Sequence, residues 1–238
     1  MTITVYKIDH ETYQVRKDNE LLGTIKTYRN LYHDTCIYLK IKLKVYPAKF
    51  PFDAILQQES KPLELLTDSK NKNLIEFLIH NGFQCKRHCF TPTVSKNYLK
   101  HSLTSDLTIQ PFTQVDPKYL ECCDLLYRYY KKTHATVAPL TANYATFIDE
   151  VPTKTGFYNL NQKNEIENVV FTENNEIAYI CSINHKNCEA FIQATLRKIF
   201  SKYNEIFFEA DDTDWAATLL LDQFNFNKNE SFNTYIYD

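Results

Sequence analysis

Two segments of this chain follow one pattern, a short apolar run, a polar cluster, an amphipathic stretch and a turn. The first segment runs from Leu63 to Phe83 and the second from Ile206 to Phe226. They align without a gap, so that Leu78 stands opposite Leu221. An internal repeat of this kind indicates two related modules within one chain.

Each copy predicts a buried strand followed by a helix that lies on a sheet. Asp, Ser, Thr and Asn residues after the apolar run are typical of a helix start, and Asp211 or Asp212 is the expected cap of the second helix. Gly82 and Asn225 are suited to the helix exits, and Phe83 and Phe226 are expected to begin the next strand from the core side. The predicted helices share an i, i+3, i+4 apolar stripe, namely Leu74, Phe77 and Leu78 in one and Ala217, Leu220 and Leu221 in the other.

Composition bounds the class of protein. The 238 residues are enough for two compact modules, and 44% hydrophobic content supports a sizeable core. A formal net charge of −2 predicts no general affinity for nucleic acid or for an anionic membrane. The seven cysteines include the adjacent Cys122 and Cys123, which make a poor disulfide framework. With no basic-apolar leader and no long apolar run, we expect a cytoplasmic protein with reduced thiols.

Glycine and metal ligands are scarce. Only three glycines occur, and no glycine-rich phosphate loop can be written with them. Cys85 and Cys89 have no second ligand pair at a suitable spacing, so a plain strand explains them better than a metal site. We therefore expect no bound metal.

The remaining pattern predicts alternating strands and helices. Residues 37–45 alternate cleanly and place Tyr38, Lys40 and Lys42 on a wetted face. Asp116 is expected to cap a helix that begins at Pro117, with Val115 stapled to Leu120. The other predicted helices are 53–58, 141–151 and one capped by Asn187, and the other predicted strands lie within 3–30, at 107–110, 157–160, 166–173, 177–183 and, closing the second module, at 232–237. These elements predict a partial module over 1–93, a linker over 94–105 and a complete module over 106–238.

The second module resembles the GNAT N-acetyltransferase superfamily. Its element order is strand, two helices, three strands, helix, strand, helix, strand, and the segment D-W-A-A-T-L-L-L-D-Q-F-N-F from Asp214 to Phe226 is similar to the last strand-helix-strand motif of that family. Residues 71–83 resemble the same motif in part. The resemblance implies an α/β (α+β) fold of two GNAT-like modules, each with a mixed, mostly antiparallel sheet flanked by helices.

The resemblance also implies transfer of an acetyl group from acetyl-CoA to an amine. The pantetheine arm of acetyl-CoA would pair with the strand edge at Ile180, Cys181, Ser182 and Ile183. The phosphates would lie at the following helix start, near His185, Lys186, Asn187 and Cys188, with Asp214 at the Asn position of the family motif. His134 and Glu209 are the candidate catalytic bases.

Two departures from the family pattern stand in this sequence. The stretch Asn184–Ala190 lacks the glycines of the family's phosphate loop, and Glu189 adds a negative charge there. The tyrosine that often protonates the leaving thiolate is replaced by Leu221, and by Leu78 in the first copy.

Two functions therefore stay open, an acetyltransferase acting on a small-molecule or peptide amine, and an inactive GNAT-fold binding or regulatory protein. The acceptor and the oligomeric state are not set by the sequence.

Overall fold

The computed structural model describes residues 2–238 and divides the chain into two compact units. The first unit comprises the chain up to His88, residues 137–141 and residues 229–238. The second unit comprises residues 89–136 and 142–228. These units differ in extent from the predicted modules, because the last residues of the chain lie in the first unit.

The elements follow in chain order. The strands are β1 (Ile3–Lys7), β2 (Thr12–Lys17), β3 (Glu20–Tyr28), β4 (Ile37–Leu43), β5 (Leu63–Asp68), β6 (Gln84–Phe90), β7 (Thr93–Ser95), β8 (Gln110–Thr113), β9 (Thr155–Leu160), β10 (Ile166–Glu173), β11 (Glu176–Ser182), β12 (Glu205–Phe208), β13 (Ala210–Asp211) and β14 (Phe232–Tyr237). The α-helices are α1 (Phe52–Glu59), α2 (Lys72–His80), α3 (Tyr119–Thr133), α4 (Tyr144–Glu150), α5 (His185–Ile199) and α6 (Trp215–Leu221).

The sheet of the first unit has the strand order β1-β2-β3-β4-β5-β14-β6. Its apolar core lies where α1 and α2 bury Phe52, Phe77 and Leu78 against strand residues such as Ile25 and Leu63. The predicted stripe of α2 is thus confirmed. One expectation for β4 was wrong, since Tyr38 is 5% exposed rather than wetted. Glu64 is directly opposite Tyr38 in β5 and is buried as well.

The prediction that the last strand closes the second module was wrong. All six residues of β14 pair antiparallel with β5, from Phe232 opposite Asp68 to Tyr237 opposite Leu63. The pattern of β14 shows that it is a strand but carries no information on its partner. Non-local pairing of this kind is decided by packing, so local sequence cannot reveal it.

The sheet of the second unit has the order β7-β12-β11-β10-β9-β8. Helices α3, α5 and α6 pack on its strands, and α5 buries Cys188, Ile192 and Leu196. The segment 94–105, expected to be a linker, begins within β7, which pairs with β12. Both units are therefore mixed sheets flanked by helices, as the sequence predicts.

Four local expectations in the second unit were wrong. Strand β8 begins at Gln110 and helix α3 at Tyr119, each later in the chain than predicted. Val115 and Leu120 are 92% and 64% exposed, so no hydrophobic staple forms. Neither Asp211 nor Asp212 caps α6, because the capping side chain belongs to Asp214.

The two repeat copies diverge at the helix exit. Helix α2 has 9 residues and α6 has 7, so the second copy leaves its helix earlier. Phe83 is 2% exposed, and its counterpart in packing is Phe224, which is 1% exposed. The predicted counterpart Phe226 is half-buried and starts no strand, and Asn225 is not at the helix exit.

Within residues 2–238, no helix combines the length and the apolar character needed to cross a membrane.

Candidate functional site

The central feature of the second unit is a gap between two parallel strands. β11 and β12 pair only through Glu176–Phe207 and Ile177–Phe208. Directly after these pairs, the register of β11 against β10 skips Ala178, which marks a β-bulge. A bulge bends its strand and increases the local twist. Pairing with β12 therefore ends at Ile177, and the gap is the edge of β11 from Ala178 to Ser182, which has no partner in β12.

The main-chain groups of β11 face this gap at alternate residues. The N–H of Ile183 donates to the carbonyl oxygen of Glu167 on β10 at 3.0 Å. Since main-chain groups alternate in direction along an antiparallel strand, Cys181 also faces β10, whereas Ile180 and Ser182 face the gap. Of the predicted cofactor residues, Ile180, Cys181 and Ser182 are thus in β11, and Ile183 directly follows it, 57% exposed.

The connection from β11 to α5 is held by its own side chains. The Ser182 hydroxyl donates to the Asn184 carbonyl oxygen and accepts from the Asn184 N–H, both at 3.0 Å. Asn184, and not the predicted Asn187, caps α5, because its side-chain oxygen accepts from the Lys186 N–H at 3.0 Å. This cap satisfies one of the amides that a helix start leaves without a partner.

A buried carboxylate that the sequence analysis did not single out lies at the start of α5. Glu167 of β10 is 5% exposed. Asn184 donates its side-chain amide to Glu167 Oε1 at 2.9 Å, and Asn187 donates to Oε1 and Oε2 at 3.1 and 3.0 Å. Glu167 is the second residue of β10, between Ile166 and Asn168, and no local pattern marks it. Only the return of the chain through α5 brings the asparagines to it.

The start of α6 forms the other wall of the site. Asp214 Oδ1 accepts from the N–H groups of Ala216 and Ala217 at 3.0 and 3.1 Å and so caps the helix. The Tyr129 hydroxyl of α3 donates to the same Asp214 oxygen at 2.5 Å. Burial raises the pKa of Asp214 to about 6 although these hydrogen bonds lower it, and burial also raises the pKa of Tyr129.

The two helix starts touch through their first residues. The rings of His185 in α5 and Trp215 in α6 stack with centroids 3.7 Å apart and an interplanar angle of 25°. Lys186, the next residue of α5, is exposed. The structure therefore brings the predicted residues His185, Lys186, Asn187 and Asp214 to one end of the gap.

The candidate base His134 directly follows α3 and is buried. Its Nδ1 donates to the carbonyl oxygen of Tyr130 at 3.1 Å. Nε2 lies 3.7 Å from Asp211 Oδ2, within ion-pair range. The His134 ring stacks on Tyr130, whose own ring is 6.2 Å from that of Tyr179 in β11. The second candidate, Glu209, is exposed between β12 and β13.

The two cysteines near the gap are neutral thiols. Burial raises the pKa of Cys188 to about 12 and raises that of Cys181 well above its usual value. Because the thiolate is the reactive form, neither side chain is suited to act as a nucleophile. They pack as small apolar groups.

A surface groove of about 660 Å³ lies beside Ile183. It is lined by Ile183, Leu120, Leu125 and Ile166 and by carboxylates that include Glu121. Ile183 follows the bulge at Ala178 by five residues, roughly 16 Å along an extended strand. Ile183 and the groove that it lines therefore lie at the opposite end of β11 from the bulge.

Solved structures of known proteins share this fold. A GCN5-related N-acetyltransferase from Sphaerobacter thermophilus superposes with a TM-score of 0.55 over 98% of this chain and 82% of its own, at 9% identity. An acetyltransferase of the GNAT family from Colwellia psychrerythraea has a TM-score of 0.50 over 95% of this chain and 85% of its own, at 10% identity. No family model and no curated protein matches the sequence. The chain has the fold of the GNAT N-acetyltransferase superfamily.

Proposed function

We propose that the second unit is an acetyl-CoA-dependent N-acetyltransferase that transfers the acetyl group to an amine. The observation that carries the proposal is the departure of β11 from β12 at the Ala178 bulge, which leaves a strand edge leading to a helix start. A pantetheine arm contains two amides and can add to such an edge as a short strand. Ile180 and Ser182 supply the main-chain partners.

The chemistry required of the protein is modest. Acetyl-CoA supplies an activated thioester, and the acceptor nitrogen replaces its sulfur on the acetyl carbon. The protein has to align the two and accept one proton from the amine. The 3.7 Å separation of His134 Nε2 from the Asp211 carboxylate supports that role for His134. The thiolate that leaves has no tyrosine at position 221 to protonate it.

The phosphate end of the site fits acetyl-CoA less well. Lys186 offers a positive charge near the first turn of α5, and the helix start favours anions. The Asn184 cap uses the Lys186 amide, and the His185–Trp215 stack lies across the two helix starts. Affinity should therefore be weak and sensitive to salt.

Binding is tested by calorimetric titration with acetyl-CoA and with CoA. Lys186→Glu should weaken acetyl-CoA binding several-fold, because it reverses a charge beside the phosphates. Lys198→Glu is the matched control, since Lys198 lies in the last turn of the same helix and should leave binding unchanged. Equal affinity of Lys186→Glu and wild type would place the phosphates elsewhere.

The second candidate function is ligand binding or regulation without acetyl transfer. Glu167, a carboxylate held at the helix start where phosphates would lie, favours it. A thiol-release assay with acetyl-CoA and a panel of small-molecule and peptide amines separates the two functions. Release that depends on the amine supports the enzyme. Binding of acetyl-CoA without release, or no binding at millimolar concentration, supports the alternative.

A further inference from the structure

Both oxygens of the Glu167 carboxylate accept hydrogen bonds from other side chains of the protein. Three asparagine side chains donate to its carboxylate, Asn184 and Asn187 of the α5 region and Asn159 of β9 at 3.4 Å. Asn159 in turn accepts from Asn168 at 2.7 Å. Both carboxylate oxygens thus accept from amide groups, and the buried side chain has no unsatisfied acceptor.

The Glu167 carboxylate lies where a phosphate of the donor would bind. Asn184 is the N-cap of α5 and Asn187 is the third residue of the helix, so the Glu167 carboxylate lies against the first helical turn. The partial positive charge of a helix start attracts an anion to that turn. In this protein the anion at the turn is the Glu167 carboxylate. A phosphate that binds at the same turn is repelled by this like charge, and the repulsion is strong because the carboxylate is buried.

We propose that Glu167 determines donor specificity, so that the second unit recognises a thioester donor through its pantetheine arm and draws little affinity from the pyrophosphate. This inference rests on the proposed function. Lys186 and Glu167 carry opposite charges near the first turn of α5, so their effects on a bound pyrophosphate largely cancel. The preferred donors are pantetheine thioesters of low charge, and full CoA thioesters have no advantage over them.

The test compares acetyl-CoA with S-acetylpantetheine, which has the same arm and thioester but no phosphate. Wild-type protein should bind the two with affinities within about threefold, since the phosphates contribute little. Glu167→Gln keeps the side-chain size and one acceptor oxygen, and it should raise acetyl-CoA affinity about tenfold without changing that for S-acetylpantetheine.

Glu165→Gln is the control for charge removal. Glu165 directly precedes β10, is exposed and accepts from the Asn161 side-chain amide at 2.9 Å, so its neutralisation should change neither affinity. A thermal melt shows whether each variant is folded. The wild-type ratio of the two affinities needs no variant and tests the proposal even where Glu167→Gln does not fold.

Two outcomes would overturn the inference and leave the acetyltransferase proposal standing. One is wild-type protein that binds acetyl-CoA far more tightly than S-acetylpantetheine. The other is a folded Glu167→Gln variant whose acetyl-CoA affinity equals that of wild type, which would make Glu167 a structural cap alone. Failure of every variant to bind either donor would overturn the inference and the proposed function together.

Discussion

Single aromatic residues mark the point where each repeat copy leaves its helix and returns to the sheet. Phe224 is 1% exposed, and its ring centroid lies 5.9 Å from that of Phe208 and 6.3 Å from that of Phe200. Phe226, two residues later, is half-buried and has Phe90 as its aromatic neighbour at 6.4 Å. The turn therefore buries one phenylalanine fully and the other in part.

Phe224→Ala should lower the free energy of unfolding by about 3–5 kcal/mol, because it removes a buried ring and leaves a cavity. Phe83→Ala should cost a similar amount in the first unit, where Phe83 is equally buried. Phe226→Ala should cost only about 1 kcal/mol. Urea melts of the three variants measure the difference, and a larger loss for Phe226→Ala than for Phe224→Ala would contradict the described register.

At the level of elements, the start of α6 combines a cap with a titratable group. Asp214 accepts hydrogen bonds from the first amides of the helix and from the Tyr129 hydroxyl. Loss of a side-chain cap costs about 0.5–2 kcal/mol, so Asp214→Ala should destabilise the second unit by that amount. Asp214→Asn keeps an acceptor oxygen and should retain most of the cap. Urea melts at pH 5 measure both, and equal losses would contradict capping by Asp214.

The same carboxyl makes stability depend on pH. Its pKa is raised from 3.8 to about 6 on folding, so between these values the folded chain binds the proton more tightly than the unfolded chain. Stability from this group is therefore present below about pH 4 and is lost as the pH rises through about 6. The stability of Asp214→Asn relative to wild type should rise from pH 4 to pH 7. A difference that is constant with pH would show that Asp214 does not titrate in this range.

The sequence revealed elements better than it revealed their ends or partners. The apolar stripes of α2 and α6 follow directly from residue spacing, and both are buried as predicted. The sequence predicts Asn187 as the cap of α5, whereas the structure has Asn184, and spacing alone does not decide between the two asparagines. The bulge at Ala178 and the environment of Glu167 depend on pairing with β10, which local sequence does not encode.

For the molecule as a whole, the first unit depends on a strand from the far end of the chain. β14 lies between β5 and β6, inside the sheet, whereas β1 lies at its edge and pairs only with β2 among the described strands. Deletion of an interior strand removes ladder partners on both sides, and deletion of an edge strand removes them on one side.

A chain that ends at Lys228 should therefore lose the cooperative unfolding of its first unit. A chain that lacks residues 2–7 should keep it with reduced stability. Hydrogen exchange at amides of β5 is the measurement, since those amides report on the first unit alone. Unchanged protection of β5 in the chain that ends at Lys228 would show that the first sheet closes without β14.

The placement of β14 also has a consequence for synthesis. A ribosome makes the first unit's β1 to β6 early, but the strand that completes their sheet leaves the exit tunnel only after the whole second unit has been made. At about 5–20 residues per second, the nascent first unit waits several seconds or more with the flanks of β5 and β6 open. Such unpaired edges are where aggregation begins, so in the cell this half of the protein is the one that chaperones would have to protect.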